Sequence, residues 1–167
     1  MPLEAADSPR PDIRLREAAP GDEPFLRALY RSARDPELAL TAWTEAQKAA
    51  FANSQFDLQA RAYRESHPGV QFLVVEREGV PVGRLYVHAA AGEVSLMDIT
   101  IAPAERGRGL GTLIVGWVLR HAAAEGANVS LYVETFNPAR ALYARLGFVE
   151  EGTQGVYVPM RWRPRGG

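Results

Sequence analysis

Residues 106–112 combine two arginines with three alternating glycines; an apolar, strand-like stretch precedes them and an apolar, helix-like stretch follows. Glycine has no Cβ atom, so backbone N–H groups at the start of a helix can approach an anion closely. Arginine adds positive charge and fork-shaped donors that suit phosphate oxygens. The segment therefore predicts a phosphate-binding turn at a helix N-terminus, made of Arg106, Gly107, Arg108, Gly109, Leu110, Gly111 and Thr112.

Two common phosphate-binding motifs do not match this turn. A P-loop requires a lysine followed by serine or threonine, and the chain's single lysine, Lys48, lies far from the turn. A dinucleotide fingerprint requires the spacing G-x-G-x-x-G, but the third glycine would fall on Thr112 or Ile114. The pattern that remains is Arg-x-x-Gly-x-Gly, from Arg106 to Gly111.

A second segment, 133–148, has the pattern of a short helix with a polar start. Asn137 is a favourable N-cap, and Pro138 suits the first helical position. Apolar residues recur at helical spacing up to Gly147, which is a natural stop. Tyr143 lies on that apolar stripe, and the spacing alone fits either a core aromatic or a functional residue.

Together the two segments, from about Leu96 to Phe148, resemble the GNAT superfamily of acyl-CoA-dependent N-acyltransferases. In that family an Arg/Gln-x-x-Gly-x-Gly/Ala turn wraps the pyrophosphate of coenzyme A, and a second signature carries Leu-Tyr-x-x-x-Gly-Phe. The resemblance implies that acetyl-CoA is the co-substrate and that its acetyl group passes directly to a primary amine, on a small molecule or an exposed peptide. The absence of cysteine agrees with transfer without a covalent enzyme intermediate. The alternative is a non-catalytic acyl-CoA-binding module on the same fold.

The resemblance also implies roles for individual residues. Backbone amides from Gly107 to Thr112 hold the pyrophosphate. Tyr143 protonates the leaving thiolate, and Asn137 helps to position either the pantetheine chain or Tyr143. The pantetheine chain lies beside the backbone of three consecutive residues, Ile99, Thr100 and Ile101.

The proton of the attacking amine needs an acceptor, and two carboxylates lie in strand-like segments near the site. Alternation predicts Asp98 on the same face as Leu96 and Thr100, where a charge needs a reason. Glu134 lies late in the following strand. Each carboxylate is interpreted as a base, a substrate anchor or plain surface charge. Relatives that acetylate peptides often have glutamate at the position of Tyr132, and this departure argues against a ribosomal or N-terminal peptide acceptor.

Other polar residues have a structural interpretation beside a functional one. Gln55, Gln59 and Tyr63 share one face of a predicted helix, which either binds the acceptor or is solvated. His67 precedes a proline in a loop and is expected in solvent, and His121 is expected to be satisfied on an apolar helix. No cluster of histidine, aspartate and glutamate has metal-ligand spacing, so no metal is expected.

The composition excludes several classes of protein. The chain has 167 residues, of which 47% are hydrophobic and 23% charged, as in ordinary globular proteins. The net charge of −1 gives no electrostatic case for binding nucleic acid or a membrane. No stretch is long enough to span a bilayer and the N-terminus lacks the apolar core of a signal peptide, so we expect a cytoplasmic protein. Residues 1–11 are interpreted as a disordered lead-in and 12–163 as a single domain.

The motifs need a scaffold that brings them together. The strand–helix–strand order from residue 93 to residue 135 predicts one parallel pair with a right-handed crossover. Short turns elsewhere predict antiparallel neighbours. The expected fold class is therefore α/β (an α+β mixed sheet), mostly antiparallel, with helices on both faces. Exposed edges of such sheets often pair, which would give a homodimer.

Periodicity places the individual elements. Helices are expected over 23–33, 44–66 and 110–125, with a short one from Asn137. Asp35-Pro36 is expected to end the first helix. The second is expected to contact the core through Phe51, Leu58 and Ala62. Strands are expected over 13–18, 70–76, 80–89, 93–102, 129–135, 148–151 and 157–162.

Overall fold

A computed structural model describes residue 3 and residues 8–166 of the chain. Seven strands and four α-helices follow one another in the predicted order. The helices are α1 (Glu23–Leu38), α2 (Glu45–Ser66), α3 (Leu110–Ala124) and α4 (Ala139–Arg145). The strands are β1 (Ile13–Glu17), β2 (Gln71–Arg77), β3 (Val80–Ala90), β4 (Glu93–Ile101), β5 (Asn128–Glu134), β6 (Val149–Glu150) and β7 (Tyr157–Trp162).

All seven strands form one sheet in the order β1-β2-β3-β4-β5-β7-β6. The neighbours pair antiparallel except β4 and β5, which are parallel and are joined through α3. The prediction of a mixed, mostly antiparallel sheet with one parallel pair is therefore confirmed. The parallel pairing is short, because it links only Glu93–Asn128, Val94–Val129 and Ser95–Ser130.

Helices cover both faces of the sheet, as predicted. On one face α3 packs into the main apolar core, where Ile114, Trp117 and Val118 are fully buried against strand residues such as Leu85 and Val87. This burial follows from the sequence of α3, which is apolar on nearly all sides.

The opposite face is covered by α1 and α2. Aromatic side chains make several of the contacts among these helices and the sheet. Tyr30 of α1 meets Phe56 of α2 edge-on, with ring centroids 6.0 Å apart. Tyr63 of α2 meets Tyr86 of β3 in the same way, at 6.1 Å. These tyrosine contacts add to the burial of Leu26, Leu29 and Leu38 of α1.

Two expectations for these helices are wrong. Helix α1 does not end at Asp35-Pro36 but continues to Leu38, because Leu38 is buried and the Ala39 N–H still bonds to the Asp35 carbonyl. In α2, neither Phe51 nor Leu58 enters the core, and Ala62 is also exposed.

The apolar residues of α2 have other environments. Phe51 packs against Trp43, with ring centroids 5.1 Å apart. Ala52 is the α2 residue that is buried. Helix α2 therefore has a narrow apolar contact with the rest of the protein.

Most of the predicted lead-in, namely residues 1, 2 and 4–7, lies outside the described residues. Leu3 is buried, and its N–H donates to Oε1 of Gln71 at 2.8 Å. Within the described part of the chain, no helix is long and apolar enough to cross a membrane.

A pair of leucine substitutions tests this division between core and surface. Leu85→Ala removes a fully buried side chain, so we expect the free energy of unfolding to fall by about 2–5 kcal/mol. Leu58→Ala makes the same change at a side chain that is 52% exposed, and we expect an effect within about 0.5 kcal/mol. Urea denaturation measures both, and a large loss for Leu58→Ala would contradict the position given to α2.

Candidate active site

The glycine-rich turn leads from β4 into an uncapped helix. Gly107 and Gly109 have φ of 75° and 78°, a left-handed conformation that strains other residues. A Cβ atom at either position would meet no protein atom within 4 Å, so the backbone faces open space. Gly109 is the N-cap of α3 and provides no side-chain hydrogen bond. The first backbone N–H groups of α3 are therefore available to an external acceptor.

The side chains of the turn comprise one buried anchor and two exposed cations. Leu110 is buried in the core and fixes the start of α3. Arg106 donates from Nε to the Ile101 carbonyl at 3.1 Å. Arg108 is exposed, with Nη1 3.9 Å from a Glu105 oxygen, so its guanidinium can reach a bound anion. The predicted phosphate turn thus has open donors and positive charge in one place.

Beyond its short pairing with β5, β4 still directs some of its backbone N–H and C=O groups toward the side of β5. Ala102 donates to the Val82 carbonyl, and antiparallel strands alternate between bonded and non-bonded pairs. Thr100 therefore bonds to β3, whereas Ile99 and Ile101 direct their N–H and C=O groups away from β3. Of the three residues predicted beside the pantetheine chain, these two have the backbone orientation that pairing requires.

A β-bulge at Met97 changes the faces of β4. Tyr86 pairs with Asp98 while Val87 pairs with Leu96, so Met97 is the extra residue. Asp98 consequently shares a face with Thr100 but not with Leu96, and the expectation from simple alternation is wrong.

Between α2 and the diverging strands lies an open cleft of about 350 Å³. It is lined by three tyrosines, three serines, one histidine and the apolar Leu96, Met97 and Leu131. The Tyr63 hydroxyl crosses from α2 and donates to the Met97 carbonyl at 3.3 Å. Burial, then the charge of Asp98, raises the pKa of Tyr63 to about 12, so this phenol stays neutral.

Beneath the cleft, Arg84 of β3 is a buried cation, only 2% exposed. Its Nε donates to Oδ2 of Asp98 at 2.7 Å, and its Nη2 donates to Oε1 of Gln59 on α2 at 3.0 Å. Its Nη1 donates to the Tyr86 hydroxyl at 3.2 Å, and the guanidinium lies 4.4 Å from the centroid of that ring. Desolvation lowers the pKa of Arg84, but the charge of Asp98 and the interactions with Tyr86 together raise the pKa overall.

The two candidate carboxylates differ in their partners. Oδ2 of Asp98 accepts bonds from Arg84 and, at 2.9 Å, from the Thr100 hydroxyl. Glu134 ends β5, and alternation along β5 places it on the same face as Tyr132. Within the described part of the chain, the Glu134 carboxylate has no hydrogen bond or ion pair. Asp98 is thus structurally engaged, whereas Glu134 is free to bind a ligand or a proton.

Tyr143 lies on α4, and its ring is 6% exposed, packed edge-on against Phe148 at 5.6 Å. Burial, then the charge of Asp98, raises the pKa of Tyr143 to about 12. Its hydroxyl makes no hydrogen bond to the described residues. Asn137 is exposed, and its Oδ1 accepts from the Ala139 N–H at 2.9 Å, so it caps α4 as its sequence predicts.

Two contributors to the site escape prediction from the sequence. Arg84 is missed, although a charged residue inside an apolar strand is a signal that a buried partner exists. His67 is wrongly expected in solvent, since it is half-buried, bonds to the Ser66 hydroxyl at 2.8 Å and lines the cleft. His121 is satisfied as expected, by the Trp117 carbonyl at 2.9 Å. No group of three potential metal ligands occurs within residue 3 and residues 8–166.

The sequence pattern of the acetyltransferase (GNAT) family matches residues 27–148. A mycothiol acetyltransferase of Paenarthrobacter aurescens (strain TC1) is 34% identical over 137 residues, covering 71% of this chain and 42% of that protein. One of Arthrobacter sp. (strain FB24) is 32% identical, covering 95% of this chain and 51% of that protein. The chain spans about half the length of these curated relatives.

Solved structures share the fold at low identity. PaiA N-acetyltransferase of Thermoplasma acidophilum, solved in complex with coenzyme A, superposes with a TM-score of 0.69 at 18% identity, covering 90% of this chain and 98% of that one. The ribosomal-protein-S18-alanine N-acetyltransferase of Escherichia coli gives 0.63 at 18% identity, covering 93% and 96%. Since the family pattern covers most of the sequence and the fold agrees, this chain belongs to the acetyltransferase (GNAT) family.

Proposed function

We propose that this chain transfers the acetyl group of acetyl-CoA to a primary amine, on a small molecule or an exposed peptide. The proposal rests on three features that lie along the gap between β4 and β5. The uncapped start of α3 follows the end of β4, and the backbone of Ile99 and Ile101 faces the space between β4 and β5. The cleft under α2 opens onto the same divergence.

The residues present fit coenzyme A. Backbone N–H groups of Gly109, Leu110, Gly111 and Thr112 would hold the pyrophosphate, helped by Arg106 and Arg108. The backbone of Ile99 and Ile101 would pair with the amides of the pantetheine chain as a neighbouring strand does. When bound, acetyl-CoA supplies an activated acyl group.

The chain's own groups serve the amine and the leaving sulfur. Tyr143 keeps its proton at neutral pH and donates a hydrogen bond to the leaving thiolate. Glu134 accepts the proton of the amine, while Asp98 positions the floor of the cleft through Arg84. The chain contains no cysteine, which supports direct attack by the amine without a covalent enzyme intermediate. The relatives named mycothiol acetyltransferase support acetyl transfer as the reaction.

Substitution of Gly109 tests the phosphate turn, with Gly126 as the matched control. Both glycines have positive φ and open surroundings, so leucine at either position strains the backbone by roughly 1–2 kcal/mol. Only Gly109→Leu places a side chain among the first N–H groups of α3, so we expect acetyl-CoA to bind at least about tenfold more weakly in this variant. Calorimetric titration measures both affinities, and equal dissociation constants would count against the turn.

Tyr143→Phe keeps the ring packed on Phe148 and removes only the hydroxyl. We expect amine-dependent thiol release from acetyl-CoA to fall about 10²-fold in kcat, with the dissociation constant of acetyl-CoA unchanged. Because the raised pKa of about 12 keeps the phenol protonated below pH 10, the parent enzyme should show no loss of kcat from this group between pH 7 and pH 10. Thiol release that does not depend on an added amine would contradict the proposed reaction.

Substitution of the two carboxylates should affect different properties, stability for Asp98 and activity for Glu134. Asp98→Asn leaves the buried Arg84 cation without its counter-charge, so we expect the free energy of unfolding to drop by about 3 kcal/mol in urea denaturation. Glu134→Gln leaves stability within about 0.5 kcal/mol but lowers kcat/KM about 10²-fold at neutral pH. Full activity of Glu134→Gln would remove Glu134 as the proton acceptor.

A further inference from the structure

Among the described residues, the lining of the cleft under α2 combines hydroxyl-bearing and apolar side chains and includes no carboxylate. Aromatic hydroxyls come from one helix and two strands, and aliphatic hydroxyls from the end of α2 and the two central strands: Tyr63, Tyr132, Tyr157, Ser66, Ser95 and Ser130, together with His67. None of the described lining residues is aspartate, glutamate, lysine or arginine. The cleft volume of about 350 Å³ lies near the lower end of the range for small-molecule sites.

The charges around the cleft are few and mostly compensated. Asp98 is paired with Arg84, which is also bonded to Gln59. Glu134 is the free carboxylate on the face of Tyr132, two residues further along β5. His67 is neutral or cationic and never supplies negative charge. The cleft therefore offers compensation for one ammonium group and not for two.

This arrangement discriminates between amines by their charge. Tyrosine rings attract a single ammonium through their π faces, and hydroxyls bond to neutral polar groups. A second ammonium would lose its hydration without meeting a carboxylate, which is unfavourable for an ion.

Resting on the proposed function, we infer that the acceptor is a compact monoamine whose remaining groups are neutral, either hydroxyl-bearing or aromatic. Diamines and polyamines are disfavoured acceptors. The inference concerns the charge class of the substrate. It rests on the tyrosine- and serine-lined cleft, whose described lining residues include no aspartate, glutamate, lysine or arginine.

A pair of acceptors of equal length tests the inference. 4-Aminobutan-1-ol and butane-1,4-diamine differ only in one terminal group, a hydroxyl or an ammonium. The diamine presents two equivalent amines, so an enzyme without charge selection would use it about twice as well. We expect kcat/KM for the amino alcohol to exceed that for the diamine by at least about tenfold, measured as thiol release from acetyl-CoA at pH 8 and two salt concentrations.

Substitution at Tyr132 locates the selection in this cleft. Tyr132 is 65% exposed, so Tyr132→Glu and Tyr132→Gln should both fold. Tyr132→Glu adds a carboxylate to the lining, and we expect the preference for the amino alcohol to shrink about tenfold through better use of the diamine. Tyr132→Gln adds no charge and should keep the parent's ratio of kcat/KM values.

The possible results separate this inference from the proposed function. Equal or better use of the diamine by the parent would overturn the inference and leave amine acetylation standing. A ratio that Tyr132→Glu does not change would also overturn it, since the selection would then lie elsewhere. An absence of amine-dependent thiol release across a panel of primary amines would overturn the proposed function, and the inference would fall with it.

Discussion

The early separation of β4 from β5 is the constraint on which the site depends. Parallel strands normally pair along their whole length with evenly spaced hydrogen bonds, yet here the pairing stops after three residue pairs. The bulge at Met97 adds one residue to β4 two positions beyond the last pair, and bulges bend a strand and increase its twist. As a result, the backbone groups of Ile99 and Ile101 lie in the sheet interior without a partner strand. Such groups need hydrogen-bond partners, and an extended amide chain is a ligand that supplies them.

A second constraint is the buried charge of Arg84. A guanidinium that loses water must find carboxylate and hydrogen-bond partners, and Arg84 finds them on β4, on its own strand and on α2. Helix α2 has little apolar contact with the sheet, so two hydrogen bonds help to fix its position. Gln59 accepts one from Arg84, and Tyr63 donates the other to the Met97 carbonyl. The roof of the cleft is therefore held by directional polar contacts, which specify one geometry more strictly than apolar packing does.

The sequence predicts the parts of this protein whose causes are local. Alternating glycines before the apolar run of α3 indicate the open, uncapped helix start, and the strand–helix–strand order indicates the parallel pair. The parts it does not predict depend on distant contacts. The bulge at Met97 reverses the face of Leu96 relative to Asp98, and alternation carries no sign of it. Pro36 fails to end α1 because burial of Leu38 outweighs a local preference, and Phe51 pairs with Trp43 instead of the core.

The gap between β4 and β5 also brings together candidate site residues from opposite faces of the sheet. Tyr143 belongs to the apolar core on the α3 side, whereas Asp98, Tyr132 and Glu134 lie on the side of α2. Burial raises the pKa of Tyr143, and the charge of Asp98 raises it further. The phenol consequently keeps its proton at neutral pH. In the proposed reaction, a protonated phenol would serve the leaving sulfur and the unpaired carboxylate of Glu134 would accept the amine proton, from opposite sides of one gap.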